Sequence, residues 1–261
     1  MNPFKLAWSY LRIGVLNEFQ YRVNFFIQIL QSAIAVGTGL IGLSLVFGQV
    51  TDLAGWSRPE LLAVMGVHIL MGGVIRSAIQ PNMERLMNDV LNGTLDFALT
   101  KPADAQALVS VREFRFWQLT DVLVGLVILI VAVNQLSTSL EAVQVLLFIA
   151  ALLLGSTMLY CVWLMVTSIA FWVIRVGDIV ELFQGLFAAG RWPVSVYPDW
   201  LRTGMTFLVP VAFAVTMPAE AVTNRLTTET MLFAVGLTLF LMLLARGVWL
   251  LGLRSYSGAS A

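Results

Sequence analysis

From Ala142 to Ser168 the chain reads AVQVLLFIAALLLGSTMLYCVWLMVTS, without one Asp, Glu, Lys or Arg. A helix rises about 1.5 Å per residue, so about 20 apolar residues cross the roughly 30 Å of hydrocarbon in a bilayer. Only helices and closed barrels satisfy their own backbone in lipid, and a run of this length far exceeds a barrel strand. The pattern recurs at about Asn24–Phe47, Pro59–Ile79, Leu119–Leu136 and Thr228–Leu251. A shorter stretch from about Ile179 to about Gly190, extending toward Val196, reads as the fifth of six spans. The predicted fold class is therefore all-α: a polytopic membrane helix bundle, one transmembrane domain over residues 1–261.

Composition agrees. The chain is 59% hydrophobic and 11% charged, with mean hydropathy +0.87, whereas a soluble domain carries roughly a quarter charged residues. So little charge cannot cover a water-facing surface, which excludes a cytosolic enzyme, a nucleic-acid binder and a disordered regulator. The formal charge of zero implies no polyanionic partner. The single cysteine, Cys161, and single histidine, His68, cannot form an internal disulfide or a metal set.

An even number of spans places both termini on one side. With the N-terminus inside, Lys5, Arg12, Arg22, Arg76, Arg85, Lys101, Arg112, Arg115, Arg175, Arg246 and Arg254 fall at cytoplasmic ends. Arg58, Arg191, Arg202 and Arg225 fall outside, so eleven basic residues against four put both termini in the cytoplasm. The opening MNPFKLAWSYLRIGVLNEFQYR lacks the apolar core and small-residue cleavage site of a secretory signal. Its helical spacing of apolar residues reads as an amphipathic interfacial helix over residues 1–22.

Two polar regions interrupt the spans. Residues 80–117 form a cytoplasmic loop in which Met83, Leu86, Met87, Val90 and Leu91 recur at helical spacing, followed by an Asn92-Gly93 stop. That short amphipathic helix either lies on the membrane or docks a soluble partner. Residues 192–222 hold Pro193, Pro198, Pro210 and Pro218. Each proline removes a donor and disfavours helix before it, so a pair of short re-entrant helices fits better than one span. Within the spans, Arg76 is expected to snorkel to the interface, Asp121 to be interfacial, and His68 to bond a neighbouring helix. Gly37, Gly39, Gly42 and Gly72-Gly73 offer small surfaces for close helix approach.

The missing chemistry is equally informative. A P-loop needs GxxxxGK[ST], yet the only lysines, Lys5 and Lys101, follow Phe4 and Thr100. There is no GxSxG and no HExxH. No catalytic set is present, and any energy for work arrives from elsewhere.

The stretches YRVNFFIQILQ, LNGTLDFALTKPADAQ and RWPVSVYPDWLRTGMTFLVPVAFAVTMPAEAV, in this order between the spans, resemble the permease subunits of ABC type-2 exporters. The resemblance covers nearly the whole chain and is closest to the bacterial branch with a separate ATPase chain. It implies a coupling helix over about Met83–Asp96 seated in a groove of a cytoplasmic ATPase, with Glu84, Arg85, Asp89, Gly93, Thr94, Asp96 and Lys101 as coupling positions. It also implies an N-terminal connecting helix, and an outer cap built on Pro193, Tyr197, Pro198, Pro210 and Pro218. Candidate pathway positions are Met65, His68, Met71 and Val74 on the second span and Phe183, Leu186 and Phe187 on the fifth. By the same resemblance, two permeases, identical or different, assemble with two ATPases in the bacterial inner membrane. The ATPases bind ATP and Mg, and this chain carries no cofactor. A self-sufficient channel or secondary transporter is the competing reading, and a membrane enzyme or assembly scaffold the third. Arg191 and Arg202 near the outer cap mark either an anionic substrate headgroup or a misplaced span boundary.

Overall fold

A computed structural model describes residues 22–136, 141–173 and 177–256. The connecting helix expected over residues 1–22 lies outside them, apart from Arg22, where the first helix begins. The long helices are α1 (Arg22–Phe47), α2 (Arg58–Val74), α3 (Gln80–Leu91), α6 (Leu119–Gln135), α7 (Ala142–Ser168) and α11 (Thr228–Ser255). Shorter pieces are α4 (Asp96–Leu99), α5 (Ala105–Val109), α8 (Gly177–Ala189), α9 (Asp199–Thr203) and α10 (Met217–Val222). Among the described residues five helical stretches are long and apolar enough to cross a membrane, and the all-α polytopic bundle stands as predicted.

α2 is the central helix. Of its most apolar window 72% is buried inside the protein, against 11% for α1, whose Phe26, Leu30, Ile41 and Leu45 face outward. α2 and α6 run antiparallel with their backbones in contact. A Cβ on Gly125 would fall 2.5 Å from the Leu70 nitrogen and 2.6 Å from the Gly66 oxygen. One on Gly73 would fall 2.8 Å from the Val122 nitrogen. Of the glycines expected to mediate close approach, Gly73 does so and Gly39 abuts Met65, but Gly37 and Gly42 face open space. The tightest seam uses Gly66 and Gly125 instead.

α2 starts at a capping arrangement in which the Ser57 backbone N–H and hydroxyl both donate to Glu60 Oε2, at 2.7 and 2.8 Å. It does not stop at the expected boundary. It passes through a π-helical turn, Ile75–Ile79, directly into α3, so that Arg58–Leu91 is one 34-residue helix. The expected separate coupling helix is therefore the continuation of the second span. Pro81 explains the π turn, because it removes the N–H that would bond the Ser77 carbonyl. The Arg115 backbone N–H takes that carbonyl at 2.9 Å.

The fifth crossing is only partly helical. Trp172 Nε1 donates to Ser255 Oγ (3.0 Å) at the end of α11, and Trp56 Nε1 donates to Ser195 Oγ (3.1 Å) beside the start of α2. The chain thus traverses the bundle between residues 172 and 195, yet α8 supplies only 13 residues of helix, about 20 Å. After Ala189 the described backbone is a turn followed by a 3-10 turn at Val194–Val196, and irregular backbone at membrane depth must be buried in protein or line a cavity.

The proline-rich stretch forms a hairpin. Its limbs, Asp199–Leu208 and Ala212–Val222, meet at 79° around Pro210. The entry lies near Ser195 and the exit is clamped to the start of α2: Arg225 donates to Glu60 Oε1 and Oε2 (2.6 and 2.9 Å) and to the Gly55 carbonyl (2.6 Å), and stacks over Trp56. The apex reaches inward, with Val211 against Gly190 and the Ala214 Cα 2.6 Å from where a Gly155 Cβ would sit. The hairpin therefore enters and leaves at the same end of the bundle.

Candidate functional site

Along one face of α1 run Gln28, Gln31, Ser32, Ala35, Thr38 and Gly39, polar or small residues at three- and four-residue spacing. With Leu61, Met65, His68 and Arg76 of the α2 stretch, Asp121 of α6, and Arg191 and Trp192 after α8, they enclose a cavity of about 360 Å³. The irregular part of the fifth crossing lines it, as the backbone argument requires. Asp121 is its anchor. Buried at 3% exposure, it accepts from Gln28 Nε2 (2.9 Å), from Ser32 Oγ and from Arg76 Nη2 (2.5 Å). Arg76 Nε also donates to Gln118 Oε1 at 3.3 Å.

The π turn aims Arg76 at Asp121, and the Arg76 side chain remains 42% exposed. Asp121 ties α1, α6 and the α2 stretch together. One expectation changes here. His68 stacks on Phe187 (centroids 4.8 Å apart), and its Nδ1 is buried with no hydrogen-bond partner among the described residues, where a bond to a neighbouring helix was expected. Of the proposed pathway residues, Met65 and His68 line the cavity. Phe187 touches it through His68. Met71 is fully buried beside Ser156 of α7, Phe183 packs edge-on against Trp163, and Leu186 and Val74 pack against the apolar core. The polar stripe on α1 is a feature the sequence reading missed, although its three- and four-residue spacing is the signal that marks it; the pairing of Asp121 with Arg76, some 45 residues apart, leaves no such signal.

The second region lies at the opposite end. The segment 112–115 is fastened alongside α3. Buried Asn82 donates from Nδ2 to the Glu113 carbonyl (2.7 Å) and accepts the Glu113 N–H on Oδ1 (2.8 Å). Three ion pairs continue the fastening: Glu84–Arg115 (2.9 Å), Arg85–Glu113 (3.0 Å) and Asp89–Arg112 (2.7 Å). Glu84, Arg85 and Asp89 are thus engaged within the chain. α3 ends on Gly93, whose φ of 69° suits glycine. The Asp89 carbonyl there accepts the N–H groups of Thr94 and Leu95, and Thr94 Oγ1 donates to Asp89 Oδ1. Asp96 opens α4, and the tip it forms exposes Phe97 (75%), Leu91 and Leu99 beside Thr94 and Lys101. Phe97 was not among the expected coupling residues, because the expected coupling helix ends at Asp96.

The prolines punctuate the hairpin. Pro193 precedes a 3-10 turn at Val194–Val196, Pro198 caps α9, Pro210 stands at the apex and Pro218 opens α10. Tyr197 Oη donates to the Ala189 carbonyl (2.7 Å), closing the end of α8. Arg202 is consumed locally by the carbonyls of Val194, Ser195 and Tyr197 and by Asp199.

A broken hairpin at one end and an extended second span at the other complete a polytopic membrane bundle. The chain belongs to the ABC-2 transporter family: the family model described as ABC-2 family transporter protein matches residues 33–260. It is a multi-pass membrane protein and the permease component of an ABC transporter, a family whose membrane subunits associate with an ABC ATPase. Comparisons with curated proteins and with solved structures found no match.

Proposed function

We propose that this chain is the permease of an ATP-driven exporter in the bacterial cytoplasmic membrane, with both termini in the cytoplasm. Two such subunits, identical or different, enclose the substrate path, and a separate pair of cytoplasmic ATPases binds ATP and Mg. The observation that carries this reading is the unbroken Arg58–Leu91 helix, about 50 Å long, which joins the cavity to the Phe97 tip. A helix braced along α3 by Asn82 and three ion pairs transmits a push as a rigid lever. The exposed Phe97, Leu91 and Leu99 form an apolar knob of the kind that seats in a partner's groove. ATP-driven closure of the ATPases moves the knob, and α2 carries the motion to the cavity. Work of this kind needs a bundle with two states that bind the nucleotide-loaded partner differently. On this reading the proline hairpin is the outer re-entrant cap.

The test is purification of the tagged chain from its host in mild detergent, with mass spectrometry of stoichiometric companions. Recovery of a Walker-motif ATPase that Phe97→Asp abolishes supports the reading. Recovery of the chain alone, while another complex from the same membranes survives, moves the function to a self-sufficient channel or secondary transporter.

A further inference from the structure

Arg191 and Arg202 stand eleven residues apart in one segment, but the structure uses them differently. Arg202 spends its donors on three carbonyls and a carboxylate. Arg191 makes one hydrogen bond, from Nε to the Ala188 carbonyl at 3.3 Å, and has no carboxylate partner among the described residues. It lies in the wall of the cavity. The adjacent Gly190 is at the depth of His68, since a Cβ there would fall 3.7 Å from His68 Nδ1. His68 is ten residues inside the start of α2, about 15 Å along the helix, beyond the reach of an arginine snorkelling from the bundle's end.

The cavity therefore contains two guanidinium groups, Arg76 and Arg191, against one carboxylate, Asp121, and Asp121 is already committed to Arg76. An excess cation in a membrane interior is costly unless something negative accompanies it. The neighbours suit an oxyanion. Arg191 is exposed and, among the described residues, keeps unused N–H donors in a planar fork that matches a phosphate. Gln31 adds a side-chain amide along the exposed side, where the Thr38 hydroxyl is already donated to the Ile34 and Ala35 carbonyls, while Leu43, Leu61 and Met65 supply an apolar flank for an attached chain. We propose that this cavity binds a phosphate-bearing headgroup, received by Arg191, with Arg76 held in place by Asp121 as the second positive wall. That the bound group is the transported substrate rests on the permease reading; the binding itself does not.

The experiment uses the full chain, with any ATPase that accompanies it, in phosphatidylcholine nanodiscs without nucleotide. Thermal unfolding is followed during titration with short-chain phosphatidylglycerol, short-chain phosphatidylcholine or inorganic phosphate. Saturable stabilisation by phosphatidylglycerol and not by phosphatidylcholine is expected. Arg191→Gln should raise the half-saturation concentration about tenfold or more, Arg191→Lys should raise it less, and Arg58→Gln, at the exposed start of α2, should leave it unchanged. Competition by inorganic phosphate identifies a site for phosphate itself; its absence identifies a lipid-linked headgroup. Either result supports the proposal. Equal stabilisation by phosphatidylcholine, no saturable response to either anion, or binding indifferent to Arg191→Gln overturns it. If Arg191→Gln does not unfold cooperatively, Thr38→Trp, which fills the cavity from its exposed side, must abolish binding, and unchanged binding overturns the proposal. An ATPase recovered without anion binding overturns this inference alone; anion binding without an ATPase overturns the permease reading alone.

Discussion

Replacing Asp121 by alanine removes the one acceptor that joins three helices. Two neutral partners, Gln28 and Ser32, lose their bonds, and side-chain hydrogen bonds inside membranes are worth roughly 0.6 kcal/mol each. Arg76 loses its counter-charge. Breaking a fully buried pair costs about 3–5 kcal/mol, but the Arg76 side chain is 42% exposed and the Asp121 side chain 5%, so about half that applies. The sum is about 3 kcal/mol, which for a domain of this size lowers the midpoint by roughly 6–12 °C. The assay is thermal unfolding of the purified chain in a mild nonionic detergent, run as a cycle with Arg76→Met. If the pair is the main term, Arg76→Met/Asp121→Ala is less destabilised than the sum of its parts by about 2 kcal/mol. An Asp121→Ala midpoint within a degree of the parent, or strict additivity in the double variant, refutes the reasoning.

Gly125→Ala places a Cβ 2.5 Å from the Leu70 backbone nitrogen, which cannot give way, so it should cost about 1–3 kcal/mol; Gly37→Ala, facing open space, should be neutral in the same melt. Phe97→Asp should leave the midpoint unchanged, since Phe97 is 75% exposed, while eliminating co-purified ATPase; retention of the ATPase would place the contact elsewhere. Asp104 is held below the usual carboxylate range first by the hydrogen bond from Arg246 and then by the Ala107 N–H. A lowered folded pKa gives stabilisation that is complete above the unfolded value of about 3.9 and lost as pH falls through the folded one. The small advantage of the parent over Asp104→Asn, under about 1 kcal/mol for so exposed a pair, should therefore be present at neutral pH and vanish in melts well below pH 4.

The sequence makes the long helices legible because each is a charge-poor run bounded by polar residues. α7 was read residue for residue, Ala142–Ser168. The limits of α2 were not legible, because Pro81 and the polar residues after Ile79 carry the ordinary signature of a helix end. The helix continues because the Arg115 N–H takes up the Ser77 carbonyl that the proline leaves open, and Asn82 holds that segment in place through Glu113; Arg115 and Glu113 lie more than 30 residues further along the chain. The hairpin was legible from its four prolines, since no straight helix accommodates them. The cavity was half legible. Its α1 stripe shows helical spacing, but Arg191 and Arg202 look alike in sequence, and only the backbone carbonyls around Arg202 separate them.

The π turn at Ile75–Ile79 stands where the two functional regions meet. Arg76 projects from it to Asp121 and the cavity, whereas Ser77, one residue on, offers its carbonyl to Arg115 at the root of the loop. Successive residues on a helix point about 100° apart, so a single turn serves both sides. A rotation of α3 relative to α2 would unwind this turn first, because the π segment lacks the regular four-residue ladder. It would also shift Arg76 against an Asp121 that α1 and α6 hold in place through Gln28, Ser32 and the helix backbone. The same five residues thus join α3 to the charged wall of the cavity. On the reading proposed above, that juxtaposition gives movement at the Phe97 tip a short physical route to the cavity that Arg76 and Arg191 line.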